Sequence, residues 1–558
     1  MGQTERQVDV GQGVVCVQDR QHCDIIFRNG MAANPNPADP SRDSRVRRGW
    51  AYALVPSLLT AFLVTVSAPG YAHGRAQALL SWIALLPLLV VLPALSRRQA
   101  TIAGLMAGTA TCLGWAAWMP GLMARFSGFS PAIAVLATIL LAFAHGVGWA
   151  VWSWLVRRTC PPLSVALVAP AAFVVMERWF PSVFPWSLGL AHYQFRDLAQ
   201  VAELGGPCVL SFLEVLVAAT LAQAWLVWRK AQRMAWRSPV ILAVALLAVL
   251  GFGRARRTQI EAARKQAPFV RIAALQAGTV ASGWRAQPAP NLLARYRKAT
   301  GDLERERGRF DLVVWPEKAS AVLRHDAVHD YPPENPRRIG GEFVSPLLFG
   351  AEAVDVSTLD RWNAVALLQP DGQLQVVYAK VQLIVWSEWL PRLAEPLLGK
   401  RYRRGVSIEP ISIPLAAQSG DSLQAGIFIC FESAFSAHVR ALVARGAQVL
   451  VNLSDDSWFG DSTEPEQHLA HAVFRAIESR RDLVRATGSG ISAFMTATGQ
   501  VESRLPVSHS GDEVAVLIAE PRRLQVRSLY HWLGDGFPFA CAALTLAALL
   551  ASHRRRER

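Results

Sequence analysis

Gly426-Ile427-Phe428-Ile429-Cys430-Phe431-Glu432-Ser433 is an apolar, β-branched run that ends abruptly in a thiol and a carboxylate. Such a run reads as a buried strand. The cysteine at its end, with a glutamate two residues on, has two readings. It is a nucleophile delivered to a pocket, or a buried structural thiol, since free cysteine is among the most buried residue types. Cys430 is the only cysteine between Cys208 and Cys541, so it has no disulfide partner in its own part of the chain. With Cys16, Cys23, Cys112 and Cys160 these make seven cysteines, and their spacing implies neither a metal-ligand set nor a disulfide framework.

The 558 residues are 52 % hydrophobic, too apolar for an ordinary soluble enzyme. Many of the 19 tryptophans lie near the ends of apolar runs, where membrane proteins place interfacial aromatics. The net charge of +15 raises the question of nucleic acid. The basic residues instead sit in short clusters beside apolar segments, which is a topology signal and argues against nucleic-acid binding.

A spanning helix needs ~20 apolar residues for a hydrocarbon core ~30 Å thick. Seven such stretches are read near residues 50–68, 77–95, 101–122, 131–155, 163–180, 208–228 and 238–253, and an eighth near 535–551. Arg45, Arg47 and Arg48, Arg97 and Arg98, Arg157 and Arg158, the cluster Arg229 to Arg237 and the tail Arg554 to Arg558 all fall on one side if there are eight spans. The positive-inside rule makes that side cytoplasmic. Arg254, Arg256 and Arg257 are the exception. The expected organisation is a polar, disordered extension over 1–48, with Met31 a candidate true start; a bundle of about seven helices over 49–253; an extracytoplasmic domain over 254–530; and a last helix with a basic tail over 531–558.

The segment 254–530 has a different texture. Strands are expected at Val270–Leu275, Asp311–Trp315, Ala364–Leu368, Leu374–Tyr378, Ala425–Cys430, Val449–Asn452, Ile491–Thr496 and Val514–Ile518. Asp371-Gly372 turns a hairpin between the third and fourth of these. Helices are expected at Ala434–Arg445 and His468–Arg480. Alternating strands and helices indicate an α/β domain. Glu317 and Lys380 each follow a strand, as Cys430 does, and strand C-terminal ends are where side chains converge on a pocket in such folds. A carboxylate to take a proton, an ammonium to stabilise an oxyanion and a thiol form an acyl-transfer apparatus. Singly, a Glu or a Lys after a strand is more often a solvated end. The pair His468 and His471 reads as helix surface or core rather than a metal site.

Trp315-Pro316-Glu317, Tyr378-Ala379-Lys380, Glu388 eight residues after that lysine, and Ile429-Cys430-Phe431-Glu432 resemble the nitrilase superfamily. The match is closer to its membrane-bound branch, the apolipoprotein N-acyltransferases. Asn452-Leu453-Ser454-Asp455-Asp456-Ser457-Trp458-Phe459-Gly460, Arg485-Ala486-Thr487, Phe184-Pro185-Trp186 and Glu203-Leu204-Gly205-Gly206 are similar to that family's patterns. The resemblance implies a polytopic α-helical membrane domain joined to an α/β nitrilase-like α-β-β-α sandwich. It implies Cys430 as nucleophile, Glu317 as general base and Lys380 as stabiliser of the tetrahedral intermediate. Glu388, Glu432, Asn363, Trp458 and, more loosely, Trp284 would support the site or bind substrate. No metal or other cofactor is implied.

The implied reaction moves an acyl chain from a phospholipid donor through a cysteine thioester to the N-terminal amine of a diacylglyceryl-modified apolipoprotein. The implied setting is the bacterial inner membrane, with the catalytic part periplasmic. Three departures stand out: Val385-Trp386-Ser387 before Glu388 lacks the family's Pro and Gly, Phe431 stands where Tyr is frequent, and Gly488-Ser489 replaces a pair that usually contains Asn. The alternative reading is a paralogous membrane amidase or acyltransferase serving another amine, such as a conjugation-associated protein.

Overall fold

The computed structural model describes residues 40–71, 76–127, 129–160, 164–182, 184–232, 236–278, 291–320, 322–385, 388–389, 402–415, 420–508 and 513–557. Residues up to Ala51 form a separate unit, of which only the start of the helix Pro40–Ser67 is described. Tyr52–Arg558 is the other and far larger unit.

All eight apolar stretches contain helix, but with different bounds from those expected. The second is broken into Ala76–Ala84 and Leu86–Val91, with Pro87 in the first turn of the latter, followed by a short 3-10 turn. The third is Arg97–Trp115 and Met119–Ser127, bent by 57°. The fifth is 15 residues, Val165–Trp179. Among the described residues, four helices are long and apolar enough to cross a membrane, or five if the bent pair counts as one. They are Pro131–Thr159, Cys208–Ala231, Arg237–Gln266 and the one within Gly536–Glu557.

The helix Arg237–Gln266 runs well past the expected end at 253 and continues into the α/β part. The arginines that broke the charge rule lie on it. Arg256 pairs with the buried Glu203, and Arg257 pairs with Asp197 and Glu261. Arg256 and Arg257 thus serve as ion-pair partners within the fold. Arg264 further along pairs with Asp482 at 2.8 Å and Glu502 at 2.9 Å.

The α/β part holds thirteen strands among the described residues: β1 (Ile272–Gln276), β2 (Leu312–Trp315), β3 (Leu323–Arg324), β4 (Leu347–Val354), β5 (Arg361–Leu368), β6 (Leu374–Ala379), β7 (Ile411–Pro414), β8 (Ser422–Ile429), β9 (Val449–Ser454), β10 (Leu483–Thr487), β11 (Ala493–Met495), β12 (Val501–Arg504) and β13 (Ala515–Ala519). One sheet has the order β13-β1-β2-β4-β5-β6, with β3 on β4, and the other β12-β11-β10-β9-β8-β7. Ile272, Val314 and Val365 of the first sheet pack against Ile427, Ile429 and Val451 of the second. The outer face of the first sheet is covered by Leu292, Tyr296 and Leu303 of the helix Leu292–Arg307. This is the α-β-β-α sandwich. With both faces covered, β1, β2, β9 and β10 are buried at every residue, which explains their apolar runs.

The outer helix of the second sheet, Glu464–Ser479, is buried along nearly its whole length. One side meets Phe428 and Leu450, and the other meets Leu190, Val201 and Leu210 from the apolar helical half. At its end Arg480 takes a left-handed φ of 53° and pairs with Glu203 at 2.6 Å, both fully buried. Glu203 thus holds Arg256 and Arg480 at once. Burial opposes its charge, yet the two guanidiniums hold its carboxyl down to about 2.

Removing one partner of a buried pair is worse than removing both. Arg480→Met is expected to cost on the order of 3 kcal/mol. The double variant Glu203→Gln/Arg480→Met should cost less than the single one, read as thermal midpoints in detergent.

Candidate active site

β1, β2 and β4 are parallel, β5 is antiparallel to β4, and β6 antiparallel to β5. β6 therefore points the same way as β2. β8, β9 and β10 are parallel to one another in the facing sheet. Glu317, Lys380, Cys430 and Asp455 each follow the C-terminal end of one of these strands.

Glu317 is 7 % exposed. Its Oε1 accepts a hydrogen bond from Asn363 Nδ2 at 2.6 Å, and its Oε2 accepts one from the Asp455 amide at 3.0 Å. Asn363 lies on β5 and also donates to Glu388 Oε1 at 2.9 Å. Lys380 Nζ donates to Glu388 Oε1 at 2.8 Å and stands 3.9 Å from Glu317 Oε1. Glu388 Oε2 accepts from the Ile384 amide, which folds the loop back onto the lysine. The close partner of Lys380 is therefore Glu388, with Glu317 next.

Cys430 follows β8 at a φ of 50°, a left-handed conformation that a side-chain-bearing residue rarely adopts. Strain of this kind concentrates at functional positions. Glu432 fixes the turn. Its Oε2 accepts from the Ile429 amide at 2.7 Å and from Tyr378 OH at 2.7 Å. Its Oε1 accepts from the amides of Val381 at 2.7 Å and Gln382 at 2.9 Å. One buried carboxylate thus ties the cysteine turn to the lysine turn. Behind the cysteine, His468 Nε2 donates to the Cys430 carbonyl at 3.0 Å. Nδ1 of that ring faces Arg485 Nη2 at 2.9 Å and Asp456 at 3.1 Å.

The charges are unequal in their effects. Burial pushes the Cys430 thiol well above its ordinary value; the Glu317 charge adds to this and Lys380 opposes it. The resting sulfur is a neutral thiol, so attack needs a base. Burial works against the Lys380 ammonium, but the charges of Glu388 and then Glu317 outweigh it and hold the group above the usual lysine value. Glu388 is held below the carboxylate range by Lys380, in spite of its burial.

The structure brings Glu317, Lys380, Cys430, Glu388, Glu432 and Asn363 together. Trp458 is half-buried, with the Lys318 ammonium 5.5 Å from its ring. Trp284, Trp386 and Ser387 lie outside the described residues. Phe431 packs edge-on against Phe184 of the helical half at 5.4 Å and Phe435 at 5.0 Å, so its ring serves packing in place of a hydroxyl. Trp118 bridges Phe184 and Phe459, Gln467 Nε2 donates to the Trp115 carbonyl, and Arg125 Nε donates to the Trp458 carbonyl at 2.8 Å. The loop carrying Trp458 is thus held by the helical half.

Sequence reasoning missed His468 as a support of the Cys430 turn. Its only signal was its place beside the Asp456 and Arg485 motifs. His468, Asp456 and Glu464 offer atoms within 4.8 Å of one another. The Arg485 guanidinium donates to both Asp456 and His468, so a cation already sits among them.

Comparison with known proteins agrees with this architecture. A family profile described as the apolipoprotein N-acyltransferase N-terminal domain matches residues 60–220, and one described as carbon-nitrogen hydrolase matches residues 271–528. The apolipoprotein N-acyltransferase of Geobacter metallireducens is 29 % identical over 542 residues, covering 93 % of this chain and 98 % of that one. That of Pseudomonas putida is 31 % identical over 82 % of this chain and 89 % of its own. Nit3 of Saccharomyces cerevisiae, a member of branch 10 of the nitrilase superfamily, aligns at 17 % identity over 46 % of this chain and 90 % of its own, with a TM-score of 0.34. The second half is a carbon-nitrogen hydrolase sandwich carried on an apolar helical half. The chain belongs to the apolipoprotein N-acyltransferase family.

Asp455 is pushed up to about 6 by burial and then by the Glu317 charge. Between 3.8 and about 6 the folded chain holds this proton and the unfolded chain has lost it. Stability therefore falls as pH rises through that window, and the penalty is complete above it. Asp455→Asn is expected to raise the thermal midpoint at about pH 7.5, with the gain vanishing towards about pH 4.

Proposed function

We propose that this protein transfers an acyl chain from a phospholipid to the α-amine of a diacylglyceryl-cysteine at an apolipoprotein N-terminus. The observation that carries this is the neutral, strained Cys430 thiol under the charges of Glu317 and Lys380. The family and the apolar helical half give that chemistry lipid substrates. The family's relatives do not favour the alternative acceptor.

In the first half-reaction the Glu317 carboxylate takes the Cys430 proton as Sγ attacks the ester carbonyl of the donor. The Lys380 ammonium stabilises the oxyanion of the tetrahedral intermediate. The intermediate collapses to a thioester, and Glu317 passes its proton to the glycerol oxygen, which leaves as lysophospholipid. In the second, the acceptor amine attacks the thioester and gives a proton to Glu317. The amide forms, the thiolate leaves and the proton returns to sulfur. Glu388 and Asn363 hold Lys380 and Glu317 in place, and Glu432 sets the spacing of the two turns. Residues 49–253 and 531–558 would embed the protein in the inner membrane, with 254–530 on its outer face and open towards the bilayer.

Incubating the detergent-purified protein with phospholipid should add one acyl mass to Cys430, released by hydroxylamine. Acylation of another cysteine, or of none, sinks the proposal. Glu317→Gln should slow acylation by about 10²- to 10⁴-fold. The same substitution removes a charge that raises the thiol, so the pH midpoint for alkylation of Cys430 should fall. Lower activity with a more acidic thiol is the signature of a lost base rather than a lost thiolate.

A further inference from the structure

Lys318 has no role in the acyl transfer itself, yet the structure takes trouble to place it. It follows Glu317 directly and adopts a left-handed φ of 56°. Gly350 on β4 makes room for this turn. A Cβ at Gly350 would come within 2.5 Å of Glu317 Cα and 2.7 Å of the Lys318 nitrogen. The half-buried side chain then lays its ammonium 5.5 Å from the ring centre of Trp458 and 5.6 Å from that of Tyr402.

Ring faces attract a cation without neutralising it. Among the described residues no carboxylate lies within 4.0 Å of Lys318 Nζ, in contrast to Lys380, which has two. Tyr402 gives its own hydroxyl to Glu352. The ammonium therefore lies on two rings beside Glu317, and Asp455 is a carboxyl that feels its charge from further off. An exposed surface lysine would be mobile and hydrated; this one is held by two rings and a strained turn. The loop bearing one of those rings is fixed by Arg125 from the helical half.

We propose that Lys318 forms a phosphate subsite, which takes the phosphodiester of the acyl donor while the ester carbonyl lies against Cys430. This rests on the phospholipid being the acyl donor. In a glycerophospholipid the phosphate is separated from the ester by the glycerol backbone alone, so an ammonium one residue beyond the base is suitably spaced. It recognises the charge common to all phospholipids and ignores the rest of the headgroup. A lysine gives a point charge here, and an arginine, which also stacks on ring faces and binds phosphate, carries the same charge.

The test uses the full-length protein in detergent micelles and follows acylation of Cys430 by a phospholipid. The competitors are two ether-linked lipids that the thiol cannot cleave: a dialkyl phosphatidylglycerol and the dialkylglycerol lacking phosphate. In the native protein the phosphate-bearing ether should inhibit about tenfold more tightly, one charge-assisted hydrogen bond's worth. Lys318→Gln should close that gap by weakening the charged competitor alone, and Lys318→Arg should keep it. An unchanged constant for the uncharged ether shows that the pocket is intact. Equal weakening of both competitors, or of neither, overturns the subsite and leaves the acyl transfer standing. If the native protein forms no thioester with phospholipid, the donor assignment falls and the subsite with it.

Discussion

The carboxylate of Glu432 is the point on which the site depends. It is fully buried, and it accepts four hydrogen bonds, from the Ile429, Val381 and Gln382 amides and the Tyr378 hydroxyl. Two of these atoms' hosts, Val381 and Gln382, follow β6 in one sheet, while Ile429 ends β8 in the other. A buried charge is tolerable only when so completely satisfied. Face-to-face packing of the sheets sets the distance across the core, and Glu432 converts that distance into a fixed separation between an ammonium and a thiol. The Asp455 amide on Glu317 adds a second tie of the same kind.

The site keeps its sulfur neutral and its lysine charged among buried groups. The lysine stays charged because two carboxylates accompany it, and the thiol stays protonated because it is buried and, second, because one of those carboxylates is also near the sulfur. Glu317 thus adds by its charge to what burial does at the sulfur, and in the proposed reaction the same carboxylate receives the proton. In the proposed reaction the exclusion of water would protect the thioester from hydrolysis while the amine approaches.

Much of the core was legible because the strands leading to Glu317 and Cys430 are buried on both faces over their last residues and therefore read as unbroken apolar runs. The Asp371-Gly372 hairpin was legible for a different reason: Gly372 supplies the positive φ the turn needs. β10 was hidden by Arg485 in its middle, whose charge is cancelled by Asp456 in the fold. β7 and β12 are edge-region strands with partly exposed faces and weak patterning. The helix Glu464–Ser479 showed its period but not its full burial, since its polar side is covered by the helical half rather than by water. The breaks at Leu85 and around Trp115 were invisible to a hydropathy count, which registers length and not direction. Lys318 carries no local signal at all, because its place depends on an aromatic pair distant in sequence.

The helix Arg237–Gln266 runs without a break from the apolar half into the sandwich. Thirty residues make a rod ~45 Å long, against ~30 Å of hydrocarbon. Its far end is clamped by Arg264 on Asp482, and its middle by Arg256 on Glu203. Such a rod acts as a stilt of constant height. The sandwich is then unable to stoop towards the apolar half, and the distance between the two is set by the length of one helix.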